Sequence, residues 1–96
     1  MIKAIVLIPL ADNDGTPIAI EDRAPVVDAL VQLTGGLTIR ENVRGLWQDA
    51  GTTYSDQLDE FAVALASWHH VAAFLDIVAS AAVAFRQLAM YVEIAG

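Results

Sequence analysis

The stretch Gly51-Thr52-Thr53-Tyr54-Ser55-Asp56-Gln57-Leu58-Asp59-Glu60-Phe61-Ala62-Val63-Ala64-Leu65-Ala66-Ser67 decides the fold. Two periods compete within it. Phe61, Val63 and Leu65 alternate with Ala62, Ala64 and Ala66, as in a strand, whereas Leu58, Phe61, Ala62 and Leu65 also share one face of a helix. Periodicity alone does not separate strand from helix over residues 56–66. The flanking chemistry favours the strand. Asp49-Ala50-Gly51 reads as a hairpin turn with glycine in the left-handed position, and Thr52, Thr53 and Tyr54 are good strand residues.

Upstream of that turn, Leu37 to Gln48 reads as the partner strand. Strict alternation puts Leu37, Ile39, Val43 and Trp47 on one face and Arg40, Asn42, Arg44 and Gln48 on the other. Glu21 to Thr34 reads as a helix whose inner face carries Val27, Leu30, Val31 and Thr34. Glu21 and Asp22 suit its positive end, Pro25 is expected in its first turn, and Gly35-Gly36 ends it. Residues 2–8 are apolar apart from Lys3 and rich in β-branched side chains, the pattern of a strand buried on both faces. Downstream, Ser67 is expected to cap a helix over 68–87. Its apolar stripe is Val71, Phe74, Leu75, Val78, Ala82 and Phe85. Leu88 to Ile94 closes the chain as a strand, with Met90, Val92 and Ile94 opposite in facing to Tyr91 and Glu93.

The order is therefore β-α-β-β-α-β, the ferredoxin-like α+β unit: a four-stranded antiparallel sheet with two helices on one face. A single domain over residues 1–96 is expected. The first and third strands are central in that fold, and they are the two whose residues are apolar on both sides. Helices cover one face only, so the second calls for another copy of the chain, sheet against sheet.

Composition agrees with self-association. Of the 96 residues, 56% are hydrophobic and 18% charged, against about 45–50% and about 25% in average domains. A small domain cannot hide such an excess, and contiguous apolar surface marks a contact. The net charge is −7, from 12 acids and 5 bases. The bases are scattered, with only Arg40 and Arg44 close together, so neither nucleic acid nor an anionic membrane is an expected partner. Without cysteine, disulfides, thiolate metal sites and cysteine nucleophiles are excluded. The apolar start is cut short by Pro9, Asp12 and Asp14 and does not read as a leader. A cytoplasmic protein is expected.

Gly36-Leu37-Thr38, Gly45-Leu46-Trp47, Gly51 to Asp56 and Met90-Tyr91-Val92-Glu93 resemble the motifs of a group of small uncharacterised bacterial proteins. That group is similar to the dimeric α/β-barrel superfamily, in which two ferredoxin-like sheets pair. The resemblance implies a dimer that either binds a small molecule or acts as a cofactor-free oxygenase or isomerase. No catalytic set shared by that superfamily maps onto this chain.

Several constellations carry chemistry. Asp12-x-Asp14-Gly15 followed by Glu21 matches part of a calcium loop, but Leu10 occupies the first ligand position, so an Asx turn is expected and no metal site. His69 and His70 are candidate acid–base groups, since imidazole titrates near neutrality. Adjacent histidines diverge by about 100° on a helix, so one metal does not use both; Asp56, Asp59 or Glu60 would have to approach them. Arg40, Arg44, Tyr91 and Glu93 are expected on the sheet face away from the helices, either binding a carboxylate or forming interface ion pairs. Trp47 and Tyr54 flank the turn and suit packing, an interface or a ligand. No cofactor is called for. Three readings stand at this point: a homo-oligomeric small-molecule-binding or interaction module; a small cofactor-independent enzyme with a histidine acid/base and an arginine anion holder; and an acidic protein that inhibits or mimics a partner of a basic surface. The residues do not decide whether the chain is an enzyme.

Overall fold

The computed structural model describes residues 1–87 and 89–96. Its elements are β1 (Ile2–Pro9), α1 (Ile20–Thr34), β2 (Thr38–Asp49), β3 (Thr52–Leu65), α2 (His69–Ala84) and β4 (Val92–Ala95). The ambiguous stretch is strand as far as Leu65. The turn before it explains why: Ala50 and Gly51 both have positive φ, 50° and 81°, the twist that returns one strand directly onto another. Asp49 then lies opposite Thr52 and Trp47 opposite Tyr54.

The sheet order is β2-β3-β1-β4, all antiparallel, so β1 and β3 are central. This is the ferredoxin-like α+β fold. Ile2, Ala4, Val6 and Ile8 of β1 and Phe61, Val63 and Leu65 of β3 face the helices and are buried. Phe74, Val78, Ala81 and Phe85 from α2 and its end, with Val26 and Leu30 from α1, complete that core.

Several expectations are corrected in detail. The inner face of α1 is centred on Val26 and Leu30, and Val31 is exposed. Leu75 of α2 is likewise exposed, and the buried stripe of α2 includes Ala81. Pro25 stands sixth in α1, past the first turn, where it removes one backbone bond inside the helix. Ser67 does not cap α2, because its hydroxyl meets Nδ1 of His70 at 3.0 Å. The last strand starts at Val92, although the Leu7 N–H still bonds the Tyr91 carbonyl at 3.1 Å. Leu88, its expected first residue, lies outside the described residues.

The largest correction concerns β2. Its register slips by one residue between Arg40 and Val43, a β-bulge. Asn42 sits there with φ 59°, and its backbone N–H donates to Asp59 Oδ1 at 3.1 Å. The bulge reverses the phase of everything after it. Arg40 pairs across from Glu60 on the open face, whereas Arg44, opposite Gln57, falls on the helix side. Trp47, expected on the helix side, shares the open face with Arg40.

Candidate functional site

β1 stops at Pro9, opposite Leu58, but β2 and β3 run on to the turn. Residues 52–57 and their partners thus form a two-stranded arm that projects roughly 20 Å past the central strand. The Leu10 N–H, bonded to the Gln57 carbonyl at 3.2 Å, closes its base. On the open face of the arm, Trp47 and Tyr54 stack with centroids 4.4 Å apart and planes at 19°. Asp56, two residues along β3 from Tyr54 and so on the same face, accepts the indole N–H of Trp47 at 2.9 Å. The indole is thereby fixed in place, while both rings remain nearly half exposed.

A cleft of about 860 Å³ lies between this aromatic wall, the loop after β1 and the segment leading into β4. Asp12, Asn13, Asp56, Gln57 and Gln87 supply polar groups beside the two rings. A smaller hollow of about 200 Å³ shares Pro9, Asp56, Gln87 and Ala89 with it and extends to Leu7 and Tyr91. The loop is held by Asp12, whose Oδ1 accepts the backbone N–H groups of Asp14 and Thr16, each at 2.9 Å. This is the Asx turn expected of Asp12-x-Asp14-Gly15. Its Oδ2 accepts Nε of Arg86 at 2.8 Å. The hydrogen bond from Arg86, assisted by those backbone donors and opposed by burial, holds the Asp12 carboxyl below its ordinary range. Gln87 ties the far wall to the loop through the Ala11 carbonyl at 3.3 Å.

Of the residues singled out from the sequence, Trp47, Tyr54 and Tyr91 therefore meet at one continuous depression. Arg40 faces the same side of the sheet but pairs with Glu60 at 3.3 Å and is mostly solvated. Arg44 is on the opposite face, donating to Ser55 Oγ at 3.1 Å. Glu93 lies on the open face opposite Ile5, beyond the cleft. His69 and His70 begin α2, next to the end of β3 where Leu65 pairs with Ile2. That is the other end of the sheet from the cleft, on the helix side, so the structure does not unite a histidine with either arginine. Among the described residues, no arginine or lysine lines the cleft, and no three His, Asp or Glu side chains stand together as metal ligands. Asp56 enters as a cleft residue rather than as a metal ligand. The turn at Asp49-Ala50-Gly51 sets the register that places it there, so its position follows from the hairpin. The roles of Asp12 and Gln87 depend on contacts across more than 70 positions and had no local signal.

The fold and this cleft define a ferredoxin-like protein with one open sheet face and an aromatic-walled depression at its end. No protein-family model matches the chain, and no curated protein sequence matches it. Solved structures do share its fold. The divalent cation tolerance protein CutA1 of Thermus thermophilus is 14% identical over 100% of this chain and 84% of its own, with a TM-score of 0.68. CutA1 of Oryza sativa is 11% identical over 98% and 76%, with a TM-score of 0.69. A phage SAM lyase in complex with S-methyl-5′-thioadenosine is 17% identical over 97% and 78%, with a TM-score of 0.69. At such identities the likeness is one of fold, and function has to be argued from the site.

Proposed function

We propose that this protein is a homo-oligomeric small-molecule-binding module, self-associating through the open sheet face and taking a flat-ringed ligand against Trp47 and Tyr54. The observation that carries the first half is the open face itself. Ile5 and Leu7 of β1, Val43 of β2 and Leu58, Ala62 and Ala64 of β3 lie there side by side by register, and no described element covers them. Two central strands with apolar rows on both sides belong between two layers, and a second sheet is the simplest second layer. The cleft lies at the edge of this face, so a neighbouring copy would deepen it.

The second half rests on the aromatic wall. A ring pinned by a hydrogen bond to Asp56 offers a preorganised stacking surface, and stacking on such a surface is tolerant of ring identity. The carboxylate of Asp56 suits a ligand that donates hydrogen bonds or carries positive charge, which points away from the carboxylate ligand that Arg40 and Arg44 suggest by themselves. S-methyl-5′-thioadenosine, the compound bound to the phage SAM lyase of the same fold, is a rational first probe because adenine presents both a flat ring and donors.

The test combines two measurements. Sedimentation velocity at micromolar concentration is expected to show a dimer or larger species; a lone protomer overturns the oligomer. Tryptophan fluorescence of a Trp68→Phe variant then reports on Trp47 alone. Titration with S-methyl-5′-thioadenosine should give saturable quenching that Tyr54→Ala weakens about tenfold, the loss of one stacking partner. Linear, non-saturating quenching with this probe and with a panel of planar amines removes the ligand half.

A further inference from the structure

We propose that the groove between α1 and α2, on the side of the molecule away from the open sheet face, receives a basic amphipathic helix from a partner protein. The helices are antiparallel there: the first half of α1 lies along the second half of α2, and between them runs a groove of about 420 Å³. Its floor is apolar, with Pro25, Val26 and Ala29 from α1 and Ile77, Ala81 and Ala84 from α2, and three of these six are alanines. Small side chains let a third helix approach to ordinary interaxial distance. The groove runs from Glu21 to Ala29 along α1 and from Asp76 to Ala84 along α2. That length is about 12 Å, or two turns of a docked helix.

Charge selects the occupant. Glu21, Asp22 and Asp76 rim the groove, and no base lines it. The two carboxylates of α1 also complement its own positive end, but Asp76 sits in the middle of α2, where no such reason applies. Nor does any of the three form an ion pair among the described residues. Asp76 is the sole Asp, Glu, Lys or Arg in α2, and it stands at this rim. Val83, exposed by 80%, is three positions beyond Ser80 and so adjacent to it on the helix surface; it extends the apolar strip outward. An apolar trough with carboxylates along its edge is complementary to a helix with a leucine-type face flanked by lysine or arginine. A second copy of this chain offers no such helix: α1 carries one arginine, Arg23, which is engaged with Asp59, and α2 carries no lysine or arginine.

The probe is a fluorescein-labelled peptide of about four helical turns, with leucines on one helical face and lysines beside them. Its control has the same composition with the leucines dispersed. By fluorescence anisotropy the first should bind the full-length protein saturably and at least about tenfold more tightly than the second, with affinity falling as salt rises. Ser80→Trp fills the groove from an exposed position and should weaken binding about tenfold; Asp76→Asn should weaken it about threefold. Circular dichroism checks that both variants keep the fold. Equal binding of the two peptides, or binding indifferent to Ser80→Trp, overturns the proposal as attraction by net charge alone. A Ser80→Trp protein whose sedimentation differs from the wild type also overturns it, because the groove is then a contact between copies.

Discussion

Asp59 holds three parts of the chain with one carboxylate. It is 6% exposed, pairs with the Arg23 guanidinium from α1, and accepts the Asn42 N–H at the bulge of β2. Arg23 in turn lies over the Phe61 ring, 5.9 Å from its centroid. Removing one partner from a buried pair leaves the other charge uncompensated, which costs more than the pair gains. Asp59→Asn should therefore lower stability by about 2 kcal/mol, less than for a wholly buried pair because Arg23 retains some solvent, as read from the urea midpoint. An unchanged midpoint would show that the pair is incidental. Asp12 acts differently, through pH. Its carboxyl is held below the ordinary range in the folded protein, so its contribution is complete above the ordinary carboxylate pKa and is lost as pH falls through the lowered one. Asp12→Asn should make the melting temperature less steep on the acid side while lowering it near neutrality. If wild type and variant lose stability in parallel below about pH 4, the ion pair with Arg86 does not contribute.

At the scale of elements, the β2–β3 hairpin decides what the site contains. A strict two-residue period groups Arg40 with Arg44. One extra residue at Asn42 separates them onto opposite faces and carries Trp47 to the open side beside Tyr54. Asparagine tolerates the left-handed backbone this requires, whereas a β-branched residue does not. Asn42→Val should cost about 1–2 kcal/mol, and Asn42→Gly should lie within about 0.5 kcal/mol of wild type, both read from urea midpoints. If valine is accepted without loss, the bulge is not held at that position. The helices show the complementary lesson. α2 is so rich in alanine and other apolar residues that several apolar stripes fit it, and only packing against β1 and β3 selects Phe74, Val78, Ala81 and Phe85.

For the molecule as a whole, the unequal treatment of the two sheet faces is the dominant feature. One face is sealed by α1 and α2; the other leaves its apolar rows only partly buried, crossed by the Arg40–Glu60 pair. That surface pair adds little stability by itself, but under the proposed pairing it would set how a second sheet aligns. If the proposed pairing through the open face holds, Leu7→Lys at its centre should leave a protomer in sedimentation where the wild type gives a larger species, with the circular dichroism spectrum intact. Persistence of the oligomer would place the interface elsewhere. No described helix is long and apolar enough to cross a membrane.

Local chemistry was enough to determine the order of elements, the tight turn at Ala50-Gly51, the Gly35 helix end, and the central place of the two strands that are apolar on both sides. Each of these follows from backbone preference or from a repeat contained within a few neighbouring residues. Only the tertiary structure decided which side of the sheet each β2 residue occupies, which stripe of each helix faces inward, and that Asp12 and Gln87 close the cleft. Those outcomes depend on Asp59 reaching across the sheet to Asn42, on Arg86 reaching back to Asp12, and on which helix surface fits β1 and β3. Contacts between residues distant in the chain leave no periodic trace in it.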